Sequence, residues 1–366
     1  MKHLFTGILF LCITVAVHGQ ETANDYNNHG SLAINLKNIN FVKNNEYFNP
    51  VIEGYTLIGY FIQPSLIYSP YEKIHIQLGT HILSYAGDEK IKNPSLLFST
   101  RFNITAKTSL IMGALNGSDK HRMFDPHFNK ERLYTNYLEN GLQSVTETDH
   151  LFTDTWLSWE NFIFKGDTTR EQFTAGESFN YTSSDIAEIF NLEIPVQMQF
   201  KHFGGQISNY SSHVITYFNS CGGIRINCRI NNGRLGTAGI EYLQFFFKEL
   251  TGKGDIGITN GYASWFRFHY KYKSFYLGSF YWKSHNYYAP NGNMIYSNVS
   301  DYQKNMIIND RTVWTNSLYL TIHPADFFEV YIGFDSYYDP DIKRMDTALA
   351  LHLNFEKLIR LTAGSI

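Results

Sequence analysis

Cysteine is nearly absent from this chain. There are three, and Cys12 sits in the N-terminal apolar segment, which leaves Cys221 and Cys228. If 222–231 forms one strand, they are roughly 23 Å apart at the strand rise and point to opposite faces. A disulfide needs Cα atoms within about 7 Å, so no mutual bridge is expected. Seven residues of spacing is also no zinc signature without further ligands. Long apolar runs are missing beyond residue 17, which excludes a membrane-spanning helix after that point. A strong excess of either charge is missing too. The net charge is −3, and no basic footprint for nucleic acid is present. There is no H-E-x-x-H helix motif and no G-x-S-x-G elbow. A Pro/Gly/Ser-rich linker is absent, and so is a repeat of 40–50 residues, which argues against tandem sandwiches and propellers.

What is present begins with an export signal over residues 1–20. Lys2 supplies the positive start, residues 4–17 are almost wholly apolar, and His18-Gly19-Gln20 forms the exit. The remainder, 21–366, reads as one domain.

The chain then alternates. In 345–356, Leu349, Leu351, Leu353 and Phe355 fall on one side of an extended strand. Ala348, Ala350, His352, Asn354 and Glu356 fall on the other. Ile224, Ile226 and Cys228 alternate with Arg225, Asn227 and Arg229 in the same way. Phe266, Phe268, Tyr270 and Tyr272 alternate with Arg267, His269, Lys271 and Lys273. A one-residue slip would put cations into lipid at about 2–4 kcal/mol each, so the register is fixed. Aromatic residues make up 16% of the chain, more than a soluble core has room for and suited to two interfacial girdles.

These features predict an all-β fold, a transmembrane antiparallel up-and-down barrel of about 16 strands, with 14 as the alternative. The expected strands are 31–40, 54–68, 73–83, 95–106, 108–115, 150–164, 170–180, 193–203, 212–219, 222–231, 236–248, 261–272, 275–286, 312–323, 327–335 and 346–356. Short turns at 69–72, 107–108, 273–274 and 324–326 alternate with long polar segments, among them 116–149 and 287–311. That rhythm matches periplasmic turns and extracellular loops. The weak link is 204–221, where Gly-Gly pairs flank a poor strand.

The signal, the rhythm and the inward polar chemistry together resemble Gram-negative outer-membrane porin-like barrels. The resemblance is architectural and carries no diagnostic motif. It implies an outer-membrane location, lipid and small hydrophilic solutes as partners, and a possible homo-oligomer. One departure is the tail, which runs past Phe355 to Ile366.

On the inward phase lie the expected pore-lining residues Arg101, Lys201, Arg225, Arg229, Arg267, His269, Lys271, Glu329, Asp335 and His352. Their cations offer a basic constriction for anions. The segment 116–149 is expected to fold inward. Asp119, Lys120, Arg122 and Asp125 would line the constriction, and Phe124, Phe128, Leu133 and Tyr134 would pin it to the wall. No cofactor or metal is implied. Two rivals to a diffusion channel stand. One is a barrel hydrolase of lipid or glycan using Asp149, Asp154 and Glu160 beside Trp156 and Trp159, with Glu171 and Glu177 on the next strand. The other is a receptor whose loop 287–311 presents Tyr287, Tyr288, Tyr296 and Tyr302. Gly252–Gly257 matches G-x-G-x-x-G, but a strand follows it and no helix, so it reads as a loop.

Overall fold

The computed structural model describes residues 29–362 apart from 89–91, 188, 206, 208, 211, 212, 253 and 255. The expected export signal lies outside the described residues, as do Lys253 and Asp255 of the glycine-rich segment. The strands are β1 (Ser31–Glu46), β2 (Tyr55–Tyr71), β3 (Ile74–Tyr85), β4 (Lys92–Asn103), β5 (Thr108–Ala114), β6 (Asn140–Glu147), β7 (Leu151–Asn161) and β8 (Glu171–Thr182). They continue with β9 (Phe190–Gly204), β10 (Ile215–Arg229), β11 (Thr237–Glu249), β12 (Asn260–Tyr272), β13 (Phe275–His285), β14 (Asp310–Ala325), β15 (Phe328–Asp339) and β16 (Arg344–Thr362). All pair antiparallel with their chain neighbours, and β1 pairs with β16 to close the 16-stranded barrel. Closure leaves no unpaired strand edge, the condition for a sheet in lipid.

Side-chain alternation decides what each face meets. Ile224, Ile226, Phe266, Phe268, Leu349, Leu351 and Leu353 are exposed on the outside. Their neighbours Arg225, Arg267 and His352 take the lumen side. The pairings Arg225↔Glu241, Glu241↔Arg267 and Tyr331↔His352 keep that phase from strand to strand.

Strand ends differ from the sequence expectation by a few residues throughout, and three larger differences change the wall. First, β6 lies inside the segment expected to be loop. Its outward residues are Leu142, Ser144 and Thr146, so the apolar alternation that marks a lipid-facing strand is weak. Second, the two strands expected at 212–219 and 222–231 are one strand, β10. Gly222-Gly223 is a site of close approach within it and no turn. A Cβ at Gly223 would stand 1.9 Å from the Tyr242 carbonyl oxygen. These two errors offset each other, and the count of 16 stands. Third, β1 and β16 run six residues further than expected, to Glu46 and Thr362. Thus the chain past Phe355 continues the last strand.

Connections alternate in length. Glu72-Lys73 and Lys273-Ser274 are two-residue turns at one end, while 115–139 and 286–309 are long connections at the other. By the rule for outer-membrane barrels the short end faces the periplasm. Both long segments fold into the lumen. The first carries a single helical turn, α1 (Arg132–Thr135), and the second a 3-10 turn at Met294–Tyr296.

Candidate functional site

The lumen's outward half is filled. From 115–139, Phe124 packs on Phe245 and Trp265, Phe128 on Trp156, and Tyr134 and Tyr137 on Phe41 and Phe61. From 286–309, Tyr287 and Tyr296 pack on Trp282. The two segments also hold each other. Asn293 donates to Asp125 (2.8 Å), and the Asn129 amide donates to the Asn291 carbonyl (2.6 Å). The plug therefore meets β1, β2, β7 and β11–β13, covering a 16-stranded lumen that is otherwise wide enough for water.

Buried polar groups lock the plug to the wall. His121 is 0% exposed and lies between Asp154 on β7 (Nδ1 to Oδ2, 2.9 Å) and Glu139 (Nε2 to Oε2, 2.8 Å). Its ring stacks on Trp156 at 3.8 Å. Burial alone would lower its pKa. The hydrogen bonds and charges of the two carboxylates win and raise it to about 9, so it is a cation at neutral pH. Elsewhere Lys43 pairs with Glu131 (3.4 Å), and the Asn45 amide donates to the same carboxylate (3.0 Å). Arg311 on β14 pairs with Asp339 (2.9 Å) and donates to the carbonyls of Ile295 and Ser297.

Below the plug lies a cavity of about 1140 Å³. Its lining includes Glu72, Lys73 and Lys107 from the short-turn end, so it opens toward the periplasm. Arg101, Asp119, Lys120 and Arg122 line it as well. Asp125 does not. It is turned into the contact between the two plug segments, which corrects its assignment to the constriction lining.

The expected basic ring is also corrected. All its members have lumen-side phase, but most are neutralised and they stand at different depths. Lys201 pairs with Glu160. Arg225 pairs with Glu193 and Glu241, both at 2.6 Å, and Arg267 pairs with Glu241 at 2.7 Å. The result is a charge-balanced quartet on β9–β12. Arg229 pairs with Asp185 at the lower rim, and Lys271 is exposed there. Arg101 donates to Asn116 and Ser109. His269 stacks on Tyr276. Asp335 accepts from Tyr319 (2.8 Å) and Glu329 from Asn354 (2.7 Å), while Tyr134 bonds His352.

The paired-acid site does not assemble either. Asp154 and Glu160 face the lumen, where His121 and Lys201 occupy them, whereas Trp159 and Glu177 lie outside. Tyr287 and Tyr296 are buried in the plug rather than presented by the loop, and Tyr302 is exposed.

Two other pairs have nucleophilic form. Ser69 and His75 are 2.8 Å apart, with Asn103 at 3.0 Å from the other ring nitrogen, but Ser69 is 1% exposed. Cys221 and His127 are 3.6 Å apart and both buried. Burial holds His127 down to about 4, hence neutral. Neither pair offers its nucleophile to a substrate.

The outer surface carries a polar cluster that sequence reading missed. At the outward ends of β1 and β2, Thr56 Oγ1 donates to Asn44 Oδ1 (2.5 Å), and Asn44 Nδ2 donates to Glu46 Oε1 (3.0 Å). Deeper on the same face, Asn40 donates to Asn38 (2.6 Å), whose own amide donates to the Phe61 carbonyl (2.8 Å). The available signal was even-numbered phase. From Asn38 to Glu46, the outward positions of β1 hold three amides and a carboxylate among a single Val.

A closed 16-stranded antiparallel barrel with an apolar exterior defines an outer-membrane protein of porin-like architecture. Residues 23–363 match the model of the lipid A 3'-O-deacylase-type family, and the chain belongs to that family. No curated protein matches its sequence. Solved structures with a similar fold include the anion-selective porin of Comamonas acidovorans (7% identity, TM-score 0.51, 89% of this chain and 100% of that one). They also include the loop L8 deletion mutant of OmpT from Vibrio cholerae (12%, 0.50, 90% and 99%) and OccK11 of Pseudomonas aeruginosa (10%, 0.50, 92% and 99%). At these identities the likeness is one of fold.

Proposed function

We propose that this barrel is a hydrolase of acyl esters in outer-leaflet glycolipid of the lipid A type, working on its lipid-facing surface with the filled lumen as a rigid scaffold. The observation that carries the reading is the cluster Thr56–Asn44–Glu46. It stands at the outward strand ends, the depth at which lipid ester bonds lie between headgroup and hydrocarbon. Family membership supports the substrate class. In this reading Glu46 takes a proton from water as the water oxygen attacks the ester carbonyl. The Asn44 amide donates to that carboxylate, and the Thr56 hydroxyl in turn holds Asn44. The acyl–oxygen bond breaks, and the departing alkoxide takes up the proton, giving a fatty acid and a sugar hydroxyl. The test is mass spectrometry of lipid A incubated with the purified barrel in mixed micelles. Loss of one acyl chain is expected, with a fall of about 10²-fold or more for Glu46→Gln. A wild-type barrel that leaves lipid A intact overturns the reading.

A second reading, a gated passage for hydrophilic solutes, is favoured by the periplasm-facing cavity. In it, the plug must move before solute crosses. Planar-bilayer conductance tests it, with low and fluctuating current expected. A silent barrel even after removal of the plug counts against it.

A further inference from the structure

We infer that this barrel prefers glycolipid whose headgroup carries an ammonium, and that Glu53 reads that cation in a pocket beside Glu46. The pocket belongs to the connection between β1 and β2, the two strands that bear the Thr56–Asn44–Glu46 cluster. Residues 47–49 and 52–54 line it together with Tyr302, and its volume is about 420 Å³, within the ~300–1,000 Å³ of small-ligand sites. The lining starts one residue past Glu46 and ends two residues before Thr56, at the outward rim. A glycolipid whose ester lies at Glu46 therefore has this pocket beside its headgroup.

The charge of the pocket has one sign. Glu53 is the sole charged side chain in the lining. It is exposed and has no partner among the described residues, and Glu46 bonds only the neutral Asn44 amide there. A bare phosphate brought to this rim meets two uncompensated carboxylates. The same pocket presents two exposed rings, Phe48 (63%) and Tyr302 (42%). A carboxylate flanked by aromatic rings suits an ammonium, which gains from the anion and from the ring faces together.

The pocket is formed before any ligand arrives. Asn49 Oδ1 accepts from the amides of Val51 (2.8 Å) and Ile52 (3.1 Å), and its side-chain amide donates to Asp346 (2.8 Å). Tyr302 donates to the Asn49 carbonyl (3.1 Å), Ser300 to the Pro50 carbonyl (2.8 Å) and the Asp301 amide to the Val51 carbonyl (2.7 Å). The second plug segment thus clamps the β1–β2 connection, so ordering of this wall is complete in the folded barrel and takes nothing from binding. The ion pair and the ring contacts are left to show as preference. The inference rests on the proposed hydrolysis for its choice of a glycolipid, and it extends that reading from the reaction to the headgroup selected.

The test compares lipid A with bare phosphates and lipid A whose phosphates are capped with ethanolamine, in mixed micelles at low salt. Binding of each is measured by native mass spectrometry on the purified wild-type barrel and on Glu46→Gln, which keeps the comparison independent of turnover. The capped form should bind about tenfold more tightly to both. Glu53→Gln should remove most of that preference and Phe48→Leu should narrow it, with heat-modifiable gel mobility showing each variant folded. Free ethanolamine equimolar with the lipid should leave the preference in place; its loss would assign the pocket to soluble amines and overturn the inference. Equal binding of the two lipids, or a preference that survives Glu53→Gln, overturns it too. Preference without hydrolysis sustains the inference and refutes the reaction, whereas hydrolysis without preference does the reverse.

Discussion

Replacing His121 by glutamine should release the plug segment 115–139 without unfolding the wall. The imidazolium stands between Asp154 and Glu139 at 2.9 and 2.8 Å, wholly buried. Its pKa is raised from 6.5 to about 9. At 1.36 kcal/mol per unit, that rise corresponds to about 3 kcal/mol of attachment, an order-of-magnitude figure. Removing the cation leaves two buried carboxylates with Arg132 on Glu139 (3.2 Å) and Gln143 on Asp154 (2.9 Å) as remaining partners. A loss of about 3–5 kcal/mol is typical for one partner of a buried pair. The pH dependence follows in sign. Because the folded-state pKa is raised, the contribution is complete below about 6.5 and is lost as pH climbs through about 9. Hydrogen exchange resolved to peptides reads it directly. Amides of 115–139 should exchange about 10²-fold faster in the variant at pH 7 once intrinsic rates are corrected, and in the wild type protection should fall between pH 7 and 10. Equal protection in the two proteins at pH 7, with no loss on raising pH in the wild type, would refute the reasoning.

Arg311→Ala should free the second plug segment, because it removes the ion pair to Asp339 and the caps on the Ile295 and Ser297 carbonyls. A cost of about 3–5 kcal/mol is expected, seen as faster exchange over 286–309. Gly223→Val should hinder barrel assembly, since the new Cβ meets the Tyr242 carbonyl at 1.9 Å; the fraction of heat-modifiable barrel recovered on refolding measures it. Replacing 117–136 by a short glycine linker should turn a low, noisy conductance into a steady large one, as a 16-stranded lumen is wide enough for water.

The barrel and its closure were legible because lipid punishes any error in strand phase, and of the segment 116–149 only the part before β6 folds inward as expected. Phe266 to Lys273 admits one register, and the structure adopts it. β6 was hidden for the opposite reason. Its outward Ser144 and Thr146 do not look like residues that meet lipid, and a sequence pattern built on lipid contact passes over them. Gly222-Gly223 misled because glycine marks both a turn and a tight strand contact, and only the neighbour at Tyr242 distinguishes the two. At the lumen, each cation was assigned the right side of the wall but not its partner. Arg225 and Glu241 are adjacent across strands 16 residues apart, and Lys201 meets Glu160 across an intervening strand. Alternation tells which way a side chain points and says nothing of what it meets there.

The seam between β1 and β16 joins the first and last strands, and the material packed inside comes from connections that lie between them in the chain. The segment that carries Tyr287 and Tyr296 leaves the wall at His285 and returns at Asp310, on strands that pair with each other. Both its tethers therefore sit side by side on one rim, and it can withdraw through that mouth without parting any strand pair.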